Sequence, residues 1–370
     1  MNKGIIWIVG IALVVWGGWT FINNNKEKGT SLGTDQSFTI GSVLPLTGTF
    51  GILGEDIRRG AELAVAEAQA KHPNLKYVSE DDHFEQKTAA TAANKLISAD
   101  NVDAAFTAVV EEAKSMAPIF NGAKKPLLVV WDSNEFIKTA GDHIFTIGFS
   151  TEGNGQIMAA YAYGKLALRK VAIIHHVDAW SELIAPAFEE KFKALGGIVV
   201  MREKALPTAT DYRTQILKAK ASGADSLYFP LLPPANGIVA MQARQLGFTG
   251  TFLSGDSILQ DEIGASRGAL EGTYYTTVYA ENAIELLAKY KAKYGQDPTD
   301  LVFVSFGYDG VKVLVAAYVI ARETGVSLRD ALTRVSIEGA GSRIDMKGGQ
   351  YSERLEKVYK VANGAPVLVE

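Results

Sequence analysis

The sequence predicts an α/β protein built from two doubly wound parallel-sheet lobes, and three observations lead there. Short β-rich runs alternate with longer segments of helical apolar spacing, the pattern of parallel strands joined by crossover helices. The alternation runs through two successive series. A chain of 370 residues is long enough for two domains, each with its own core. With 47% hydrophobic residues, 21% charged residues and a formal net charge of −4, it has the composition of a folded protein and no basic surface for nucleic acid.

The first segment stands apart. From Gly4 to Ile22 the chain carries 19 residues without a charge, close to the roughly 20 that span a bilayer as a helix. A cleaved secretory signal has a shorter apolar core, about 7–15 residues, and then small residues at its cleavage site. This run ends in the bulky WTFINNN. Residues 1–22 therefore read as one transmembrane helix, a membrane anchor or uncleaved signal, with tryptophans suited to an interfacial belt. Lys3 favours a cytoplasmic start, although Lys26 and Lys28 weaken that bias; the folded body of this single-pass chain then lies on the extracytoplasmic side of the cell membrane, periplasmic or cell-surface. Cysteine is absent, so neither a disulfide nor a lipid-modified cysteine is available. Residues 23–37, NNNKEKGTSLGTDQS, are polar and lack apolar periodicity, which reads as a flexible linker.

The body begins near Phe38. FTIGSVL is the first strand, and the helix after it buries the stripe Ile57, Ala61, Ala64, Val65 and Ala68. LKYVSEDD, VDAAFTAVV and PLLVVWD repeat the unit, each with a helical segment behind it. A second series of strands, KVAIIHH, GGIVVMREKAL, ADSLYFPLL and GTFLSGD, follows HIFTIGFS. Two long helical patterns, near Ala283 to Tyr294 and Leu301 to Glu323, then lead to a β-rich tail. Ligands of open parallel sheets sit beyond the carboxyl ends of the strands, so the loops that follow the strands are the ones of interest.

The loop PLTGTFGILGED, after the first strand, is glycine-rich at the head of a helix, where phosphate could bind. Its spacing is GxxGxxG at Gly48, Gly51 and Gly54 rather than GxGxxG, and no Gly-Lys-Ser/Thr follows. The spacing alone does not select a ligand. The ordered series IGSVLPLTGTFGILGEDIRRGAELAVAEA, YVSEDDHFEQKTAATAANKLI, KVAIIHHVDAWSE, DYRTQILKAKASGADSLYF and MQARQLGFTGTFLSGDS is specific. It resembles the branched-chain-amino-acid (Leu/Ile/Val)-binding family of type I periplasmic binding proteins, the substrate-binding proteins of ABC transporters, over nearly all of the body.

The resemblance implies two lobes, 38–150 with 280–342 and 151–279 with 343–370, hinged near Ser150, Tyr279 and Ser342. A small amino-acid-like or amine-bearing solute would be trapped in the interlobe cleft by hinge closure, with permease and ATPase subunits of an ABC importer as partners and with no cofactor. It places the PLTG loop at the cleft mouth and leaves Arg58 and Arg59 as solvent-facing helix residues. The departures from the family matter most. Amino-acid-binding members hold the ligand carboxylate with a serine and backbone N–H groups after the third strand, where this chain has Val110 or Glu111 in AVVEEAKSM. The next loop is Trp131, Asp132 and Ser133, and an aromatic usual before Gly54 is Leu53. In the second lobe Trp180 occupies the stacking position with Asp178 near it, and Asp256 falls where an acid meets the ligand ammonium. Together with Glu112 these residues favour a cationic or amine-bearing solute, held by charge and a ring face. The alternative for Glu111, Glu112 and Asp132 is local: acids at helix starts face the dipole and cap N–H groups.

Catalytic and metal chemistry find little support. His175 and His176 are adjacent on a strand and point to opposite faces, and Asp81 and Asp82 in EDDH read as turn and cap residues. No His-Glu-x-x-His, GxSxG or cysteine nucleophile occurs. The chain thus reads as a non-enzyme without a metal site. The rival function is a ligand-sensing receptor domain that acts with a separate signalling partner.

Overall fold

The computed structural model describes residues 37–278, 283–347, 349–352 and 354–369. The expected transmembrane helix, all but the last residue of the linker and the expected hinge point Tyr279 lie outside the described residues. β1 (Phe38–Leu44) is buried along almost its whole length, as a central parallel strand must be. It pairs in parallel with β2 (Leu75–Asp81) and β3 (Ala104–Thr107), and β4 (Leu127–Val129) extends the sheet beside β3. Three crossover helices, α1 (Gly51–Gln69), α2 (Gln86–Ser98) and α3 (Val110–Ala123), join them.

The fourth crossover departs from expectation. β4 is followed by the two-residue β5 (Asp132–Ser133) and a 3-10 turn at Glu135–Thr139 capped by Asn134, not by an α-helix. Only the residues between 129 and 144 separate β4 from β6 (Ile144–Thr146), about the minimum for a crossover between parallel strands. β6 completes the sheet order β2-β1-β3-β4-β6. β7 (Phe149–Ser150) pairs with β5 and leads straight into α4 (Thr151–Gly164), whose first turn is capped by the Ser150 hydroxyl accepting from the Gly153 N–H.

The second lobe repeats the design. β8 (Lys170–His176), β9 (Ile198–Ala205), β10 (Ser226–Tyr228), β11 (Thr251–Ser254) and β12 (Tyr274–Val278) are parallel. α5 (Ser181–Ala194), α6 (Arg213–Ala221), α7 (Ala235–Gln245) and α8 (Gln260–Ala265) connect them. Buried clusters on both faces of each sheet show that helices cover both sides.

The chain then returns to the first lobe as α9 (Ala283–Tyr294), α10 (Leu301–Thr324) and α11 (Leu328–Leu332). α10 is long and apolar enough to cross a membrane, yet 72% of its most apolar window is buried inside the protein, and it serves as the core partner of α1. The two backbones touch at glycines: a Cβ on Gly60 would stand 1.9 Å from the Val304 carbonyl oxygen, and one on Gly307 would stand 1.8 Å from that of Ile57. Buried Asp56 on α1 adds a polar tie, accepting from the Asp300 N–H at 2.9 Å and the Tyr290 hydroxyl at 3.1 Å.

The return to the second lobe lies later than Ser342. Ser342 sits in the turn of a hairpin formed by β13 (Ser336–Glu338) and β14 (Arg343–Asp345). Beyond it, the Gln350 carbonyl still accepts from the Thr146 N–H at 2.8 Å, and the Ser352 N–H still donates to the Thr146 carbonyl at 3.0 Å. Asp309 on α10 holds this stretch in place. Its carboxylate accepts from the N–H groups of Ala340 and Gly341 and from the guanidinium of fully enclosed Arg354 at 3.0 Å. The chain enters the second sheet only at β15 (Glu356–Ala362), which pairs antiparallel with β12 and turns through Asn363 and Gly364 into β16 (Ala365–Leu368). Both turn residues take positive φ, 54° and 72°, as a tight two-residue hairpin requires.

Candidate ligand-binding cleft

The carboxyl ends of the strands in the two sheets face a cavity of about 240 Å³. Eight of the nine residues singled out from the sequence line it: Leu53, Glu111, Glu112, Trp131, Asp132, Asp178, Trp180 and Asp256. Ser133 is not among the lining residues. It is 9% exposed and sits in β5, whose alternation points neighbouring side chains to opposite faces, while Asp132 before it and Asn134 after it reach the cavity.

The first lobe supplies most of the acid. Val110, the first residue of α3, donates its N–H to an Asp132 oxygen at 2.7 Å. Asp132 therefore does not cap a helix of its own segment, where Asn134 is the cap; its carboxylate reaches across to the first N–H of α3 while also lining the cavity. Enclosure pushes the Asp132 carboxyl up to about 7, with the nearby Asp256 charge adding to the rise and the Val110 N–H opposing it. Glu112 lies in the first turn of α3, is 2% exposed, and leaves Oε2 without a hydrogen-bond partner. Burial above all, and the charges of Asp82 and Asp132, push it up to about 8. Glu111 sits at the more open rim, where its carboxylate accepts from Gln86 and from Lys114, the latter at 2.6 Å.

Across the cleft, Asp178 is held by α5: its oxygens accept from the Ser181 N–H at 2.8 Å and the Ser181 hydroxyl at 2.7 Å. Asp256 is less committed. Its Oδ1 is enclosed without a partner, burial pushes the carboxyl up to about 7, and the Trp131 and Trp180 indoles beside it act in the opposite direction. Trp131 comes from the first lobe and Trp180 from the second, so Asp256 meets a ring from each side.

Rings dominate the rest of the wall. Trp131 is braced edge-on by Phe303 at 4.4 Å between centroids, and Phe50 packs on Phe84 at 4.3 Å. Phe50, Phe84, Phe149 and Phe303 all reach the cavity; sequence reasoning missed them because their spacing is that of core aromatics. The glycines of the PLTG loop are structural. Gly48 takes φ +78°, and a Cβ on Gly54 would lie 2.0 Å from the Pro45 carbonyl oxygen, so the loop turns tightly against α1 with no need of an anion.

The histidines and the EDDH segment stay outside the cavity. Both His175 and His176 are fully buried, and burial lowers the proton affinity of each. The His176 Nδ1 accepts from the Leu232 N–H at 3.2 Å, so its Nε2–H donates to the Tyr212 hydroxyl at 2.8 Å. Asp81 accepts from the N–H groups of Leu46 and His83 and from the Thr47 hydroxyl, which is turn chemistry. Asp82 does more than that: it is fully buried, retains one unpartnered oxygen, and is raised to about 6, first by burial. Among the described residues no group of His, Cys, Asp or Glu is arranged to hold a metal ion.

Two lobes of parallel sheet facing one cavity across chain crossings define a receptor that encloses its ligand. The profile of the family described as "Periplasmic binding protein" matches residues 37–362, and the chain belongs to this family, in its branched-chain-amino-acid-binding group of type I solute-binding proteins, which are not enzymes. It is 28% identical over 329 residues to the Leu/Ile/Val-binding protein homolog 2 of Brucella abortus, which covers 83% of this chain and 81% of that one. It is also 28% identical over 235 residues to an amino acid binding protein of Pseudomonas aeruginosa, of whose length the match covers 63%. Among solved structures, the leucine binding protein of Thermotoga maritima superposes with a TM-score of 0.78 at 25% identity, over 90% of this chain and 98% of that one. The branched-chain amino acid substrate-binding protein of Streptococcus pneumoniae, in complex with isoleucine, gives 0.80 at 21% identity, over 90% and 99%.

Proposed function

We propose that this chain is the extracytoplasmic solute-binding component of an ABC importer and that it captures a small amine-bearing solute by closing its lobes. The observation that carries the ligand class is charge. The cavity is lined by Glu111, Glu112, Asp132, Asp178 and Asp256 and, among the described residues, by no Lys, Arg or His. A solute carboxylate there would meet only carboxyl groups and would oppose their ionisation, whereas an ammonium supplies the donors that unpartnered Glu112 Oε2 and Asp256 Oδ1 lack and favours their charged forms. The Val110 N–H, which a ligand carboxylate could have claimed, is already taken by Asp132. An internal carboxylate thus stands in for the acid end of an amino acid.

Leu53, Trp131 and Trp180 supply the apolar wall and ring faces, with cation–π attraction worth about 0.5–2 kcal/mol per ring. Residues 1–22 act as the membrane anchor, supported by the 19-residue uncharged run, and N-terminal sequencing of membrane-extracted protein tests this; a start near Asn23 would refute it. Thermal-shift titration of the full chain tests the ligand class. Simple amines stabilise the protein more than leucine or valine does, reaching about 2.7 kcal/mol at 100 times the dissociation constant, and small-angle scattering shows compaction as they bind. Strong stabilisation by leucine that survives Asp256→Asn would refute the reading.

A further inference from the structure

A second cavity, of about 280 Å³, adjoins the first. Trp131, Phe149, Asp256 and Phe303 line both spaces, so three rings and one carboxyl border their junction. The second space extends toward the head of α10, where Thr299 and Asp300 line it, and among the described residues no Lys, Arg or His lines this space either. Asp300 caps α10, accepting from the Val302 N–H at 2.9 Å. Burial, and then the neighbouring Asp56 charge, raise its carboxyl to about 6. Carboxyl groups are therefore spaced along the whole path: Glu112 and Asp132 in the first space, Asp256 at the junction and Asp300 in the second. Two of them leave an enclosed oxygen without a partner, Glu112 Oε2 and Asp256 Oδ1, and Glu112 is 2% exposed.

We propose that the two spaces are halves of one elongated subsite and that the solute is a linear diamine or polyamine. One ammonium sits between Glu112 and Asp132, another at Asp300, and the methylenes lie across Trp131 and Phe149 beside Asp256. This inference rests on the amine-binding reading above and gives the site its length. The chemistry fits a dication at both ends, because an ammonium is a donor with no acceptor capacity, while methylenes gain by leaving water for ring surfaces at about 25 cal/mol per Å². A zwitterion of the same length would set its carboxylate against Asp300. A monoamine would leave one acidic space unmatched.

Isothermal titration of the full chain with putrescine, cadaverine, spermidine, the matched monoamines and leucine tests the proposal. At least one diamine or polyamine binds about tenfold or more tightly than its matched monoamine, as one further charge-assisted contact implies. Asp300→Asn, which keeps a good helix cap, removes that advantage and leaves monoamine affinity unchanged. Gln260→Lys, a second variant at an exposed position lining the second space, excludes the diamine by charge and spares the monoamine. If no diamine or polyamine exceeds its monoamine, or if the advantage survives both substitutions, the elongated subsite is refuted while monoamine binding still upholds the amine reading. If leucine alone binds, both are refuted.

Discussion

Replacing Glu112 by Gln should change how stability responds to pH. The Glu112 carboxyl rises from an ordinary 4.5 to about 8, and burial is the largest cause. A group raised on folding binds its proton more tightly in the folded chain, so its cost is absent below about pH 4.5, grows as the pH rises and is complete above about 8. Since each tenfold change in proton affinity corresponds to about 1.4 kcal/mol, that cost is on the order of 4–5 kcal/mol. The glutamine amide has nearly the same shape and no charge. Asp82, Asp132 and Glu111, the acids around Glu112, remain in both proteins, so the difference between parent and variant isolates this one carboxyl. Urea denaturation at about pH 5 and about pH 9 measures it. The variant should gain several kcal/mol on the parent between the two conditions, whatever its starting point at low pH. If both lose stability in parallel, Glu112 is not a buried, uncompensated acid, and the electrostatic account of the cleft fails with it.

Other outcomes follow from packing and buried charge. Gly60→Ala and Gly307→Ala each drive a Cβ to within 2 Å of a facing carbonyl oxygen, so each should cost about 3 kcal/mol or more in thermal or urea melts, whereas Gly122→Ala, with open space around it, should not destabilise α3. Arg354→Ala strands the buried Asp309 carboxylate and should cost about 3–5 kcal/mol; a smaller loss than that of an exposed arginine variant would show that the two backbone N–H groups suffice. Asp178→Ala removes the two Ser181 contacts at the start of α5 and should lower stability by about 1 kcal/mol, as read by the midpoint of urea unfolding.

Local pattern carried much of this architecture. Parallel strands buried on both faces are short apolar runs, and β1, β3, β4, β8, β10 and β11 all announce themselves that way. The acids of the cleft were legible because they closely follow such strands, although Lys114 in the same segment pairs with Glu111. What escaped notice depends on contacts between distant segments. Phe303 reaches the cavity from the head of α10 and Phe149 from the short β7, and neither differs in spacing from a core ring. The two-residue β5 is too short to show the alternation that turns Ser133 away. The resemblance alone puts the third crossing near Ser342, and no local pattern moves it later, because the ties that keep the chain on the first lobe, through Asp309 and Thr146, join residues far apart in sequence. Asp82 illustrates the same limit: in EDDH it looks like its neighbours, and only the folded chain removes it fully from water.

The chain contains five tryptophans, and after residue 37 only Trp131 and Trp180 remain. Each lobe contributes one, and both stand beside Asp256. Indole emission responds to nearby charge and water, so the near-ultraviolet fluorescence of the folded body originates almost entirely where a solute would lodge. Occupancy, lobe closure and the ionisation of Asp256 near about 7 therefore share a single intrinsic optical signal, and titrations of this protein need no attached dye.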